Sequence, residues 1–196
     1  KIAIIGASAG IGLETTRLPL EPGHDVPTLS RRTVPRPDQA KLRRVQGSAT
    51  NPNDVKAAVE GADTVLVTLG VKSSFATTLF SDSARILLQT IREMGSSPTL
   101  IVLTGFGAGD SWGYNSFPVK LLFTLLLKAV YADKNEQEQL VAGGYPRWEI
   151  VRPGRLTNGV MTGQYRVLDN LAEGMRVGAI SRADVAHFMV AQAEKP

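Results

Sequence analysis

KIAIIGASAGIG, Lys1–Gly12, is the stretch that decides the fold. Lys1–Gly6 is a short apolar run closed by a glycine, the pattern of a strand buried on both faces. Gly6-Ala7-Ser8-Ala9-Gly10-Ile11-Gly12 then turns the chain into a helix over Gly10–Leu18. Glycine suits this turn because the backbone must bend tightly and approach a pyrophosphate with no Cβ in the way. Free N–H groups at the helix start, with the helix dipole, favour the negative charge. A glycine triplet alone marks any tight turn. Set between an apolar strand and a helix, this one marks a dinucleotide-binding loop.

Working outward, strands and helices alternate. Strands are expected at Asp25–Leu29, Leu42–Gln46, Thr64–Gly70 (TVLVTLG), Leu100–Thr104 (LIVLT), Trp148–Arg152 and Tyr165–Val167. Helices are expected at Pro52–Glu60, capped by Asn51 with Pro52 at its first position, at Leu79–Glu93 and at Pro118–Ala142. A last helix starts at Arg182, with Ser181 as its cap and Asp184 placed to complete a variant capping box. Alternation of this kind predicts right-handed βαβ units: an α/β, Rossmann-type, doubly wound parallel sheet, formed by residues 1–196 as a single domain. Two prolines disturb the pattern. Pro19 predicts an early stop to the first helix, and Pro27, inside a strand, predicts a local bulge. Gly105–Phe117, with four glycines and four aromatics after a strand's carboxyl end, is read as a loop covering a substrate.

Charge narrows the ligand. Net charge is +4. Arg31, Arg32, Arg36, Lys41, Arg43 and Arg44 against Asp38 give residues 31–44 a charge of +5, which leaves −1 for the remainder. Nucleic-acid binders spread basic residues along a face or groove. One short basic stretch asks for a local anion, and no nucleic-acid partner is expected. About 20 residues past a glycine loop, an acidic residue binds the ribose 2′-hydroxyl of NAD, whereas arginine meets the 2′-phosphate of NADP. Here the chain reads Leu29-Ser30-Arg31-Arg32, which points to NADP(H). A solvated basic loop is the competing reading.

With no cysteine, disulfides, thiolate metal sites and cysteine nucleophiles are excluded. Zinc would have to lean on carboxylates beside His24 and His187, so no metal site is expected. The apolar run Leu121–Leu127 is far short of the roughly 20 residues of a membrane span. A cytoplasmic protein with no membrane partner follows as the expectation.

These residues resemble the atypical, NAD(P)H-binding branch of the short-chain dehydrogenase/reductase superfamily, above all its flavin reductase/biliverdin-IXβ reductase group. The fungal NmrA-like redox-sensing regulators are more distant relatives. KIAIIGASAGIG, DTVLVTLG, DKNEQEQLV…WEIVRPGRL, MTGQYRV and ISRADVAHFM carry the resemblance nearly end to end. It implies the pyrophosphate on Gly6, Ser8, Ala9, Gly10 and Ile11, the adenosine phosphate near Arg31 and Arg32, and the adenine near Ser48 and Ala49. The nicotinamide half would lie along Leu69, Gly70, Thr104, Gly105 and Pro153. Two positions depart from the relatives: Ala9 replaces their usual second glycine, and Ser48, after Gly47, replaces an aspartate.

The larger branch pairs tyrosine with lysine four residues on, so that lysine lowers the pKa of the proton-donating tyrosine. Tyr131-Ala132-Asp133-Lys134 is one residue shorter, yet a spacing of three still shares a helix face. Three roles stay open: a catalytic pair, a packed Tyr131 with a solvated Lys134, or, as in related atypical members, Lys134 beside the nicotinamide ribose. The last is favoured. The leading functional reading is an NADPH-dependent reductase passing hydride to a small-molecule, planar acceptor such as a flavin, a quinone or a linear tetrapyrrole such as biliverdin. Ring alignment does most of that work. A carbonyl reductase and a non-catalytic NADP-sensing regulator are the alternatives. A monomer or weak homodimer is expected.

Overall fold

In the computed structural model of the protein, the described residues are 1–18, 25–35, 42–71, 76–114, 123–172, 175 and 177–195. Four consecutive apolar residues cannot alternate between core and solvent, so the strand they form must have both faces covered. β1 (Ile2–Ile5) does this, with every residue buried. β2 (Val26–Ser30) and β4 (Thr64–Val67) are buried throughout as well. With β3 (Leu42–Gln46), β5 (Thr99–Leu103) and β6 (Trp148–Val151) they form one parallel sheet in the order β3-β2-β1-β4-β5-β6. The strand order reverses between β1 and β4.

Successive side chains point to opposite faces, and two cores result. Ala3, Ile5, Val65, Val67, Leu100 and Val102 face α2 (Pro52–Val59), α3 (Leu79–Glu93) and α4 (Lys128–Gly144). Ile2, Ile4, Leu66, Ile101 and Leu103 face α1 (Gly10–Thr15) and α5 (Arg182–Ala193). Asn51 caps α2 as expected, accepting from the N–H groups of Asn53 and Asp54.

Several expectations need correction. Pro27 introduces no bulge: β2 and β3 stay in unbroken register from Val26↔Leu42 to Ser30↔Gln46. The carbonyls of Asp25 and Leu29 accept from β1, so the odd-numbered residues of β2 face that strand. The donor that proline lacks is thus on the β1 side, where register pairs begin only at Ile4↔Thr28. α1 ends at Thr15, and Pro19 lies outside the described residues. Thr15 and Thr16 donate their hydroxyls back to the carbonyls of Gly12 and Leu13, local bonds that compete with continued helix. Tyr165–Val167 is not a strand. A separate two-stranded parallel sheet instead joins β7 (Arg155–Thr157) to β8 (Ala179–Ser181). In the expected helix from Pro118, residues 118–122 lie outside the described set, Phe123–Leu127 is a π-helical turn, and α4 follows. Among the described residues no helix is long and apolar enough to cross a membrane.

Candidate functional site

The carboxyl ends of β1, β2, β4 and β5 bring most of the expected site residues to one edge of the sheet. At β1, Gly6 has φ +100° and a Cβ there would stand 2.9 Å from the Thr68 backbone. A Cβ on Gly12 would meet the Gly6 carbonyl oxygen at 2.3 Å and the Thr68 hydroxyl at 2.4 Å. These two glycines let α1 press onto the ends of β1 and β4. Between them Ala9 is extended (φ −159°), a conformation open to any residue, and Gly10 takes the left-handed turn at φ +58° with nothing within 4 Å. That is why alanine is tolerated at this position of the loop. Ala9 makes no side-chain cap to α1.

Arg31 and Arg32 follow β2 directly, both exposed, and Ser30 fixes the turn by donating to the Arg32 carbonyl at 2.6 Å. Among the described residues neither guanidinium has an acidic partner. Arg43 points to α2 and donates to the Ala57 carbonyl, while Arg36 and Lys41 lie outside the described residues. After β3, the Ser48 N–H donates to the Asp54 carboxylate at 2.8 Å, and that carboxylate fills the space beside Gly47. An acid thus reaches this loop from α2. Ala49 is buried next to it.

Leu69 and Gly70 follow β4; Leu69 packs on the core and Gly70 is open. Thr104 and Gly105 follow β5, where α4 meets them. Lys134 Nζ donates to the Thr104 carbonyl at 2.6 Å and lies over the rings of Phe80 and Tyr131. A Cβ on Gly105 would stand 2.9 Å from the Tyr131 hydroxyl and 3.7 Å from Lys134 Nζ. The three-residue spacing therefore does join the two side chains, and a solvated Lys134 is ruled out. Burial lowers the Lys134 ammonium to about 8, against the opposing pull of Glu138. Burial pushes the Tyr131 phenol up to about 12.

Several residues around these went unnoticed in the sequence. The buried Asp133 accepts from the N–H groups of Phe80 and Ser81 and so caps α3. Asn135 accepts from Gly109. The buried Glu138 accepts from the Thr104 hydroxyl at 2.6 Å and from Arg152 at 3.0 and 2.7 Å. Arg152 in turn donates to Asp110 on the 3-10 turn Gly109–Tyr114, and Pro153 accepts from the Phe106 N–H. DKNEQEQ thus pins the loops after β5 and β6, including the described part of the expected covering loop; residues 115–117 lie outside it. Asp184 does not complete a capping box. Ser181 does cap α5, but the Asp184 carboxylate accepts from Thr162 and Gly163, docking that segment to the helix.

Beyond Arg152 and Pro153 opens a cleft of about 1130 Å³, whose wall also carries Phe106, Tyr114, Tyr165 and Leu168. Neither the glycine loop nor Arg31, Arg32, Tyr131 or Lys134 lines it. The edge that could hold a dinucleotide and the space that could hold a second molecule are adjacent at Pro153, and distinct.

A family described as NAD(P)H-binding matches residues 6–196. The structure resembles ChuY, an anaerobillin reductase from Escherichia coli O157:H7, with TM-score 0.79 and 25% identity over 100% of this chain and 91% of that one. It also resembles a short-chain dehydrogenase/reductase from Veillonella parvula in complex with NADP, with TM-score 0.79 and 17% identity over 99% and 88%. A 3-beta-hydroxysteroid dehydrogenase from Mycolicibacterium neoaurum is 35% identical over 71 residues, 36% of this chain and 19% of that protein. The match spans about a fifth of that relative's length.

Proposed function

Since the chain belongs to the NAD(P)H-binding family, we propose that it is an NADPH-dependent oxidoreductase reducing a planar acceptor: a flavin, a quinone or a linear tetrapyrrole. The observation that carries this reading is the cleft of about 1130 Å³ beside Pro153, wide enough for several fused or linked rings and walled by Phe106, Tyr114 and Tyr165. Similarity to an anaerobillin reductase supports the tetrapyrrole end of that range.

The residues present fit a dinucleotide. Gly6 and Gly12 allow the close approach of α1, while Gly10 leaves open space where a pyrophosphate would come near. In this reading Gly6, Ser8, Ala9, Gly10 and Ile11 hold the pyrophosphate, and Arg31 and Arg32 pair with the 2′-phosphate. Ser48 and Ala49 border the adenine; Leu69, Gly70, Thr104, Gly105 and Pro153 border the nicotinamide, and Lys134 borders its ribose. When bound, the reduced nicotinamide supplies hydride. The protein's part is to align two rings and exclude water, which requires no strong acid for acceptors that stabilise the added charge themselves.

Tyr131 beside Lys134 favours a second reading, a carbonyl reductase, in which Tyr131 protonates an alkoxide. A screen of flavins, quinones, biliverdins and simple ketones, following NADPH absorbance, separates the two. Turnover with the planar acceptors and much slower turnover with ketones is expected. Faster ketone reduction would put the carbonyl reductase first, and NADPH binding without any consumption would leave a cofactor-sensing protein.

A further inference from the structure

Tyr165 stands in the wall of the cleft with its phenol oxygen 2.8 Å from His187 Nδ1. Its ring meets those of His187 and Phe188 edge-on, at centroid distances of 5.8 and 6.0 Å. No regular element carries Tyr165. The segment is fixed instead by α5, where Asp184 accepts from Thr162 and Gly163 and His187, three residues on, meets the phenol. A phenylalanine would serve for packing. The hydroxyl, paired to an imidazole at the edge of a cleft, calls for another explanation. Tyr131 is not part of the cleft wall and lies against Gly105, so it does not face an acceptor held in the cleft. Tyr114 does line the cleft, on an exposed turn with no imidazole partner among the described residues.

We propose that Tyr165 is the proton donor to the acceptor and that His187 recharges it, an inference that rests on the reductase reading above. With its proton on Nδ1, His187 donates to the Tyr165 oxygen, which leaves the phenol O–H free to turn into the cleft. The conjugated acceptor gains hydride at carbon, from the reduced nicotinamide, and a proton at its basic nitrogen or oxygen, from Tyr165. One C–H bond of the reduced nicotinamide, one π bond of the acceptor and the Tyr165 O–H bond break; one C–H bond and one N–H or O–H bond form on the acceptor, and the nicotinamide is left as its aromatic cation. As the phenolate takes the Nδ1 proton, Nε2 takes one from water, so the imidazole stays neutral throughout, and proton exchange with solvent then returns His187 to its Nδ1–H tautomer. The sum is one NADPH, one proton and the acceptor going to NADP⁺ and the dihydro product. Burial, with the nearby Asp184 carboxylate, pushes the Tyr165 phenol up, so it holds its proton until hydride arrival creates a stronger base.

Two acceptors discriminate. Hydride added to flavin mononucleotide leaves an anion that water tolerates, whereas biliverdin needs a proton on nitrogen as hydride reaches carbon. Tyr165→Phe should slow kcat for biliverdin by about a hundredfold or more, the usual contribution of a general acid, while flavin reduction falls far less and NADPH affinity, which does not depend on the cleft wall, stays close to the native value. His187→Ala should lose biliverdin turnover similarly and recover part of it with added imidazole. A readout without turnover comes from nitrogen NMR, tractable because the chain has 2 histidines: His187 should be protonated at Nδ1, and Tyr165→Phe should shift that resonance. Equal losses with both acceptors, no loss with either, or an Nε2-protonated His187 would each overturn the proposal. Native protein that reduces flavin and leaves biliverdin untouched overturns the donor but keeps the reductase. Native protein that binds NADPH and reduces neither takes down both.

Discussion

A 2′-phosphate beside the end of β2 carries nearly two negative charges, and the guanidinium fork matches its oxygens in paired hydrogen bonds. Each charge-assisted bond is worth roughly 1.5–3 kcal/mol, and about 1.4 kcal/mol changes an equilibrium tenfold. Replacing Arg31 and Arg32 together by alanine should therefore weaken NADPH by at least about a hundredfold even if half that energy is realised. NADH, which lacks the phosphate, should change by less than about tenfold. Titration of both cofactors against both proteins checks this, and a double variant that still prefers NADPH removes these arginines from the site. Lys134 makes a second prediction at this scale. Its ammonium is lowered to about 8 by burial, so the free protein loses that charge as pH rises through this value. NADPH affinity should fall across the same window and should not do so in Lys134→Met. Linkage runs the other way for stability. The unfolded chain keeps the proton up to the ordinary lysine range, so it binds more protons above about 8 and this residue's burial destabilises less as pH rises.

At the scale of elements, two junctions hold the site. α1 reaches the sheet only because Gly12 lacks a side chain, since a Cβ would lie 2.3 Å from the Gly6 carbonyl oxygen. Gly12→Ala forces backbone to move, and overpacking of this kind costs about 1–3 kcal/mol. Its NADPH affinity should drop with its stability, whereas Gly113→Ala, at a glycine with nothing within 4 Å, should change neither. α5 is the second junction. Asp184 holds Thr162 and Gly163 by their N–H groups, so Asp184→Ala should free the segment carrying Tyr165. Amide exchange at Thr162 and Gly163 should quicken more than at β1. Equal protection in both proteins would show the docking to be incidental.

For the molecule as a whole, Glu138 is the joint between α4, the end of β5 and the loop after β6. It is buried, and Arg152 holds it through two hydrogen bonds. Breaking a fully buried pair costs about 3–5 kcal/mol, and the partial exposure of Arg152 with Lys134 close to Glu138 puts this pair at the lower end of that range. Arg152→Ala should show a loss of that size in denaturant unfolding, and pairing it with Glu138→Gln should return much of the loss. Additive losses in the double variant would mean that the two side chains act separately.

By itself the sequence determined the layering of the sheet, the glycine turn and the arginines after β2. Each is a local matter: strands buried on both faces must read as apolar runs, and a left-handed or crowded backbone position must be glycine. Even the exceptions followed local rules, since Ala9 sits at an extended angle and Gly10 takes the turn. The tertiary structure alone decided the rest of the site. Asp133 meets Phe80 across 53 residues, Lys134 meets Thr104 across 30, and Tyr165 meets His187 across 22. A polar side chain's partner is chosen by which loops the sheet brings together, and no periodicity along the chain records that choice. For the same reason a strand expected at Tyr165–Val167 became a segment without regular structure. Thr162 and Gly163 just before it donate their N–H groups to Asp184, and the Tyr165 phenol meets His187, so side chains of α5 hold this stretch where a neighbouring strand was expected.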